Sequence, residues 1–173
     1  MNGQKGFSLI ELLIVVVIIG IIAAIAIPNL LASRRAANES SAVSGIRTIH
    51  GAQMTYASTY GRGEYAGTVG GVDTVAFTQL GALGLLDNVF GTGTKSGYTF
   101  TAGTNNATGT RPASFCARAV PLSIGGLTAT GVRCFGVATD GSVMSNTAGG
   151  TNCDCSINSD GVVVVSSASP FGN

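Results

Sequence analysis

Charge, tryptophan and histidine are what this chain has least of. Only 10% of its 173 residues are charged, the net charge is +1, Trp is absent and His50 is the single histidine. So balanced a charge provides no basic field for nucleic acid, and DNA binding is not indicated. One histidine, with no cysteine near it, excludes the usual zinc spacings and leaves a packing role for His50 on a helix. No nucleophile-elbow pattern and no Gly-rich loop ending in Lys-Ser/Thr occurs, so the chain is expected not to be an enzyme and to need no cofactor. Cysteine is missing from the first 115 residues, and nothing charged stands between Glu11 and Arg34.

That last gap is the chain's main positive feature. From Leu12 to Ile27 every residue is aliphatic, Ala or Gly20, and the run continues through Pro28-Asn29-Leu30-Leu31 before the first basic residue. At 1.5 Å per residue it is long enough to cross about 30 Å of hydrocarbon, so membrane lipid is an expected partner. A secretory signal would have a shorter apolar region, of about 7–15 residues, and no acid at its head. Glu11 is the anomaly. A carboxylate in lipid costs several kcal/mol unless neutral or paired, so it requires a partner: Lys5, or the α-amino group of Phe7 if the chain is cut after Gly6.

Lys5-Gly6-Phe7-Ser8-Leu9-Ile10-Glu11-Leu12-Leu13, with the aliphatic run and Ala26-Ile27-Pro28-Asn29, resembles a type IV prepilin with a class III signal. The likeness is close over residues 3–60. It implies a major pilin subunit: residues 1–6 a leader, cut between Gly6 and Phe7 by a prepilin peptidase that methylates the new Phe7 amine. It implies that Glu11 pairs with the Phe7 amine of a neighbouring subunit, and that Gly20 and Pro28 bound a segment that loses helical order on packing. It further implies a homo-oligomeric helical filament serving adhesion, twitching motility or DNA uptake. The subunit would start as a single-pass precursor in the bacterial inner membrane, be handled there by the assembly machinery and end in an extracellular pilus. Ser8 stands where the family commonly has Thr. A secretion-system pseudopilin or a minor pilin is the alternative. Asp140, Asp154 and Asp160 are candidates for a pseudopilin calcium loop, against which the cysteines between them weigh. The leader motif, rather than the count of basic residues, sets the orientation.

Beyond the span, residues 29–60 continue as an amphipathic helix. Ala42, Ile46, Ile49, Gln53, Tyr56 and Tyr60 make one stripe at helical spacing, Arg35 and Glu39 are placed to pair, and Gly61-Arg62-Gly63 ends the pattern. A helix over residues 7–60 would be about 80 Å long. Residues 61–96 form a glycine-rich αβ-loop, in which Phe77, Leu80 and Leu86 are expected to lie on the spine. Residues 97–173 are a β-sheet head: Tyr98–Thr101, Ala113–Val120 and Val132–Ala138 read as strands, and Asp140-Gly141 turns into Val143-Met144. The run Val162–Val165 makes a late strand. The fold class is α+β, a long N-terminal helical spine whose first half spans the membrane and whose second half packs on a small antiparallel sheet.

Cys116, Cys134, Cys153 and Cys155 all fall in the head, an even number that reads as two disulfides in an exported domain. Three connectivities are open. Neighbouring strands favour Cys116–Cys134, but Cys153 and Cys155 would then bridge across one residue. Cross-pairing serves equally and would staple the 149–159 loop to the sheet. Asn38-Glu39-Ser40 and Asn106-Ala107-Thr108 match the glycosylation tripeptide, the second in an expected loop.

Overall fold

The computed structural model describes residues 6–146, 153–157, 163–166 and 169–171. Leader residues 1–5, most of the 149–159 loop, Asp160 and Val162 lie outside the described residues. The chain forms two compact units, Met1–Arg34 and Arg35–Asn173.

A single helix, α1 (Leu9–Thr59), accounts for most of the first unit and opens the second. In the first unit its apolar side chains are exposed all round, from Leu9 through Ile14, Val17 and Ile22 to Leu30. One 18-residue window of α1 reaches a mean hydropathy of 3.2 with nothing buried, long and apolar enough to cross a membrane. The helix runs through Gly20 and Pro28 without interruption.

In the second unit α1 buries Ala42, Val43, Ile46, Ile49, Ala52 and Gln53. The stripe stops there: Tyr56 is half-buried and Tyr60 exposed, because the chain leaves the helix at Gly61. Short elements follow: β1 (Val72–Asp73), α2 (Val75–Ala82), a 3-10 turn (Asn88–Thr92) and β2 (Thr94–Lys95). Phe77, Leu80 and Leu86 join the core with the helix, as the sequence predicts. Gln53 fixes the start of this segment, donating from Nε2 to the Ala66 carbonyl (2.8 Å) and accepting the Ala66 N–H (2.9 Å). A buried side-chain amide that bonds both the N–H and the carbonyl of one residue avoids the cost of orphaned backbone groups.

The sheet consists of β3 (Tyr98–Asn105), β4 (Ser114–Pro121), β5 (Cys134–Ala138), β6 (Val143–Asn146) and β9 (Ser169–Pro170), antiparallel in that order, with β1 and β2 both on β3. A separate hairpin pairs β7 (Asp154–Ile157) with β8 (Val163–Ser166). Alternation along the strands explains the layers. Tyr98, Phe100, Ala102, Ala117, Ala119, Phe135 and Val137 belong to the core with α1, while Cys116 and Cys134 belong to a second cluster with Cys153 and Val165. The sheet is therefore covered on both faces, which is why β4 is buried at four successive positions, Ser114 to Ala117. Two glycines permit the close approach. A Cβ on Gly45 would stand 3.0 Å from the Phe100 ring, and one on Gly136 would stand 2.6 Å from Val165 Cγ1.

Several expectations need correction. Arg35 and Glu39 do not pair: Glu39 binds Arg133, and Arg35 donates to the Gly126 carbonyl. Strand β5 begins at Cys134 rather than Val132, because the N–H groups of Val132 and Arg133 are committed to Glu39. The disulfides are Cys116–Cys155 and Cys134–Cys153, not Cys116–Cys134. Register gives the reason. Cys116 stands opposite Ala138, four residues along β5 from Cys134, an offset of about 13 Å that no disulfide spans.

Candidate functional site: the helix head and its apolar surface

The α1 N-terminus carries one half of a capping box, the bond from the backbone of Ser8 to the side chain of Glu11. Ser8 immediately precedes the first helical residue, and the carboxylate of Glu11 accepts the Ser8 backbone N–H at 2.9 Å through Oε2. A glutamate at the third helical position that reaches back to the residue before the helix satisfies a donor the helix itself leaves unpaired. The acid also lies at the positive end of the helix macrodipole. Among the described residues of the subunit, then, the partner of Glu11 is the backbone of Ser8. The sequence pattern Ser8-Leu9-Ile10-Glu11 carries that signal, which is obscured when Glu11 is considered only as a charge in lipid.

Gly6 and Phe7 precede the helix in exposed chain without regular structure, Phe7 at 85% exposure. A peptide bond so placed is open to a protease, since no helical hydrogen bond has to break first. From Leu9 to Leu30 the helix shows no polar face to separate solvent from core. A helix apolar all round is stable only inside lipid or a bundle of other helices. Gly20 and Pro28 both lie in that stretch, and the Asn29 side chain donates to the Ile25 carbonyl at 3.0 Å, binding the turn around the proline.

The second unit holds its own polar centre. Glu39 is buried on α1, where Oε1 accepts the N–H groups of Val132 (2.9 Å) and Arg133 (3.2 Å). Its Oε2 accepts Arg133 Nε (2.9 Å) and Nη2 (2.7 Å), a forked pair. Burial pushes the Glu39 carboxyl up, but the bonds from Val132 and Arg133 and the guanidinium charge outweigh it and hold it below its ordinary value. Tyr98, donating to the Arg133 carbonyl at 2.9 Å, is pushed well up, by burial first and then by the nearby Glu39 charge.

The four cysteines pin the β7–β8 hairpin to β4 and β5, with Cα–Cα separations of 5.8 Å in both bridges. Asp154, between Cys153 and Cys155, pairs with Arg118, and Asp140 accepts the Ser142 N–H at 3.2 Å in the Asp-Gly turn. The described acids of the suggested calcium loop are thus engaged elsewhere. Among the described residues no group of three His, Cys, Asp or Glu side chains is arranged to hold a metal. His50 lies against Phe115, ring centroids 5.6 Å apart. Asn38 of the first glycosylation tripeptide donates to the Thr130 carbonyl at 2.9 Å, whereas Asn106 of the second is exposed.

Residues 1–27 match the family described as the prokaryotic N-terminal methylation motif. The similarity to the curated proteins below covers a minority of the chain. The chain is 62% identical over 40 residues to the type IV wide pilus major component PilA4 of Thermus thermophilus, covering 23% of this chain and 30% of that one. It is 42% identical over 68 residues to the type IV major pilin protein PilA of Myxococcus xanthus, 39% of this chain and 31% of that one. It is 40% identical over 55 residues to the type II secretion system core protein G of Escherichia coli, 32% of this chain and 38% of that one. The chain thus spans about a third of the length of these relatives. No solved structure matches it significantly. With its methylation motif leading into an exposed apolar helix, the chain is similar over part of its length to type IV pilins and to type II secretion pseudopilins.

Proposed function

We propose that this chain is the major subunit of a type IV pilus, made as an inner-membrane precursor and assembled into an extracellular helical filament. The observation that carries the reading is the surface of α1 from Leu9 to Leu30, apolar on every side and uncovered within the chain. Such a surface is satisfied twice in the subunit's life, first by lipid and then by the same helices of neighbouring copies. Prepilin peptidase cuts between Gly6 and Phe7 and methylates the Phe7 amine. Glu11, whose Oε2 holds the Ser8 N–H, then attracts the Phe7 amine of a neighbour and fixes the step between subunits. Gly20 and Pro28 are the positions at which the packed helix loosens. The disulfides agree with a head that matures in an oxidising compartment outside the cytoplasm.

The second reading is a pseudopilin of a secretion system, which the likeness to core protein G supports. Arg118 and the two disulfides around Asp154 favour the pilus, because they occupy the segment in which a calcium loop would otherwise form. Electron microscopy of cells lacking the gene decides between them. Loss of long surface filaments, with sheared filaments yielding a 167-residue subunit that begins at N-methylated Phe7, is the expected result. Filaments retaining Met1, or an undiminished filament count in the deletion strain, would overturn the pilus reading.

A further inference from the structure

Between α1 and the β5–β9 side of the sheet runs an open cleft of about 650 Å³, all of whose lining residues belong to the second unit, Arg35–Asn173. Sites for small organic ligands fall at about 300–1,000 Å³. The sequence explains the opening. Ala36, Ser40 and Ser44 recur every four residues and so stack along one side of α1, where their short side chains leave a trough. Across it stand Arg133 just ahead of β5, Phe135 on β5 and Phe171 just after β9.

The charges of this cleft do not cancel. Glu39 and Arg133 line it as a pair, and the two Glu39 oxygens already accept four bonds. Arg133 spends Nε and Nη2 on that pair and leaves Nη1 uncommitted. Arg47, exposed on α1, lines the same cleft and makes no hydrogen bond or ion pair with any described residue. Two guanidiniums and one carboxylate leave a single positive charge in a space whose other walls are apolar: Val43 on α1, and the rings of Phe135 and Phe171, which meet edge to face at 5.5 Å. The Arg133 guanidinium lies over both rings, 5.6 and 5.2 Å from their centroids, and is held there by stacking as well as by Glu39.

We infer that this cleft binds a small organic anion, a carboxylate carried on an apolar, preferably aromatic, body. The carboxylate pairs with the Arg47 guanidinium, whose planar fork matches its two oxygens, and the Ser44 hydroxyl, three residues back on the same side of α1, supplies a further donor. The body lies against Val43 and Phe171. A neutral ring of the same shape leaves Arg47 without a counter-charge, and a cation meets it as a like charge. The site does not depend on whether the filament serves a pilus or a secretion system, because no residue before Ala36 contributes to it.

The test titrates para-fluorobenzoate against the full chain in maltoside micelles at neutral pH, read by fluorine NMR, with empty micelles as the reference. The uncharged para-fluorobenzamide and the cationic para-fluorobenzylamine are run beside it. The acid should bind saturably at one site, the amide about tenfold more weakly, and the amine not at all. Arg47→Gln, which removes a side chain with no partner in the fold, should lower the acid to the level of the amide and leave the amide unchanged. Ser44→Trp, at an exposed position, fills the trough and should abolish binding of both. Equal affinity for acid and amide, or an acid affinity that survives Arg47→Gln, would overturn the assignment of an anion. Binding undiminished in Ser44→Trp would place the probe outside the cleft, and a signal that follows the amount of detergent rather than of protein would reduce it to partition into micelles; either result overturns the site, as does a failure of the acid to bind.

Discussion

Glu39 shows how one residue ties a helix to a distant loop. Its four bonds to Val132 and Arg133 span a separation of more than ninety residues, and they keep the carboxyl ionised below its ordinary value. A carboxyl whose folded value is depressed contributes stability above its unfolded value, and loses it as pH falls through the folded one. Glu39→Gln keeps the volume but weakens bonds to a guanidinium that is itself only part-exposed, so it should cost about 1–3 kcal/mol at pH 7. Urea unfolding of the detergent-solubilised chain should show the gap between wild type and variant closing as the pH is taken from 6 to 3. A gap of constant size would mean that shape, not charge, is what Glu39 supplies. The sequence suggested the wrong partner for this residue. Helical spacing makes Arg35 and Glu39 neighbours, but spacing cannot weigh a local ion pair, worth a few tenths of a kcal/mol, against a buried fork supplied from far along the chain.

At the scale of elements, regular patterns were legible and pairings were not. The aliphatic run, the stripe from Ala42 to Gln53, the Asp140-Gly141 turn and the three central strands announce themselves because each obeys a local period or turn rule. The short β1, β2 and β9 strands, two residues each, carry no such signal and exist because longer strands offer them an edge. Disulfide connectivity belongs to the same class, since it depends on register. It is open to a direct check. Trypsin and an endoprotease that cuts before Asp separate the four cysteines, leaving Cys116 in 96–118, Cys134 in 134–139, Cys153 in 140–153 and Cys155 in 154–159. Under non-reducing conditions the linked pairs should be 96–118 with 154–159, and 134–139 with 140–153, with no thiol free to react after denaturation. Recovery of 96–118 joined to 134–139 would refute the arrangement. Loss of either bridge should cost about 3–4 kcal/mol, the loops closed being 39 and 19 residues by separation.

For the whole molecule the question is what an isolated acid does at the head of an apolar helix. The capping bond to Ser8 N–H gives Glu11 a role within one subunit, the start of α1; the proposed bond to a neighbour's Phe7 amine gives it a role between subunits. The two are separable, because capping needs an acceptor and attraction needs a charge. Glu11→Gln retains a carbonyl oxygen able to accept the Ser8 N–H, a substitution that capping boxes tolerate. It removes the charge that would draw an amine across a water-free interface, where such attraction is strongest. The variant should therefore insert, be cleaved after Gly6 and fold its head normally, while the ratio of sheared filament protein to processed membrane pool falls sharply. Glu11→Ala loses both roles, so it should add fraying of the first turn to the same assembly defect. If Glu11→Gln as the only subunit gave a normal filament yield and Glu11→Ala did not, the cap would be what assembly requires, and the pairing between neighbours would have to be abandoned.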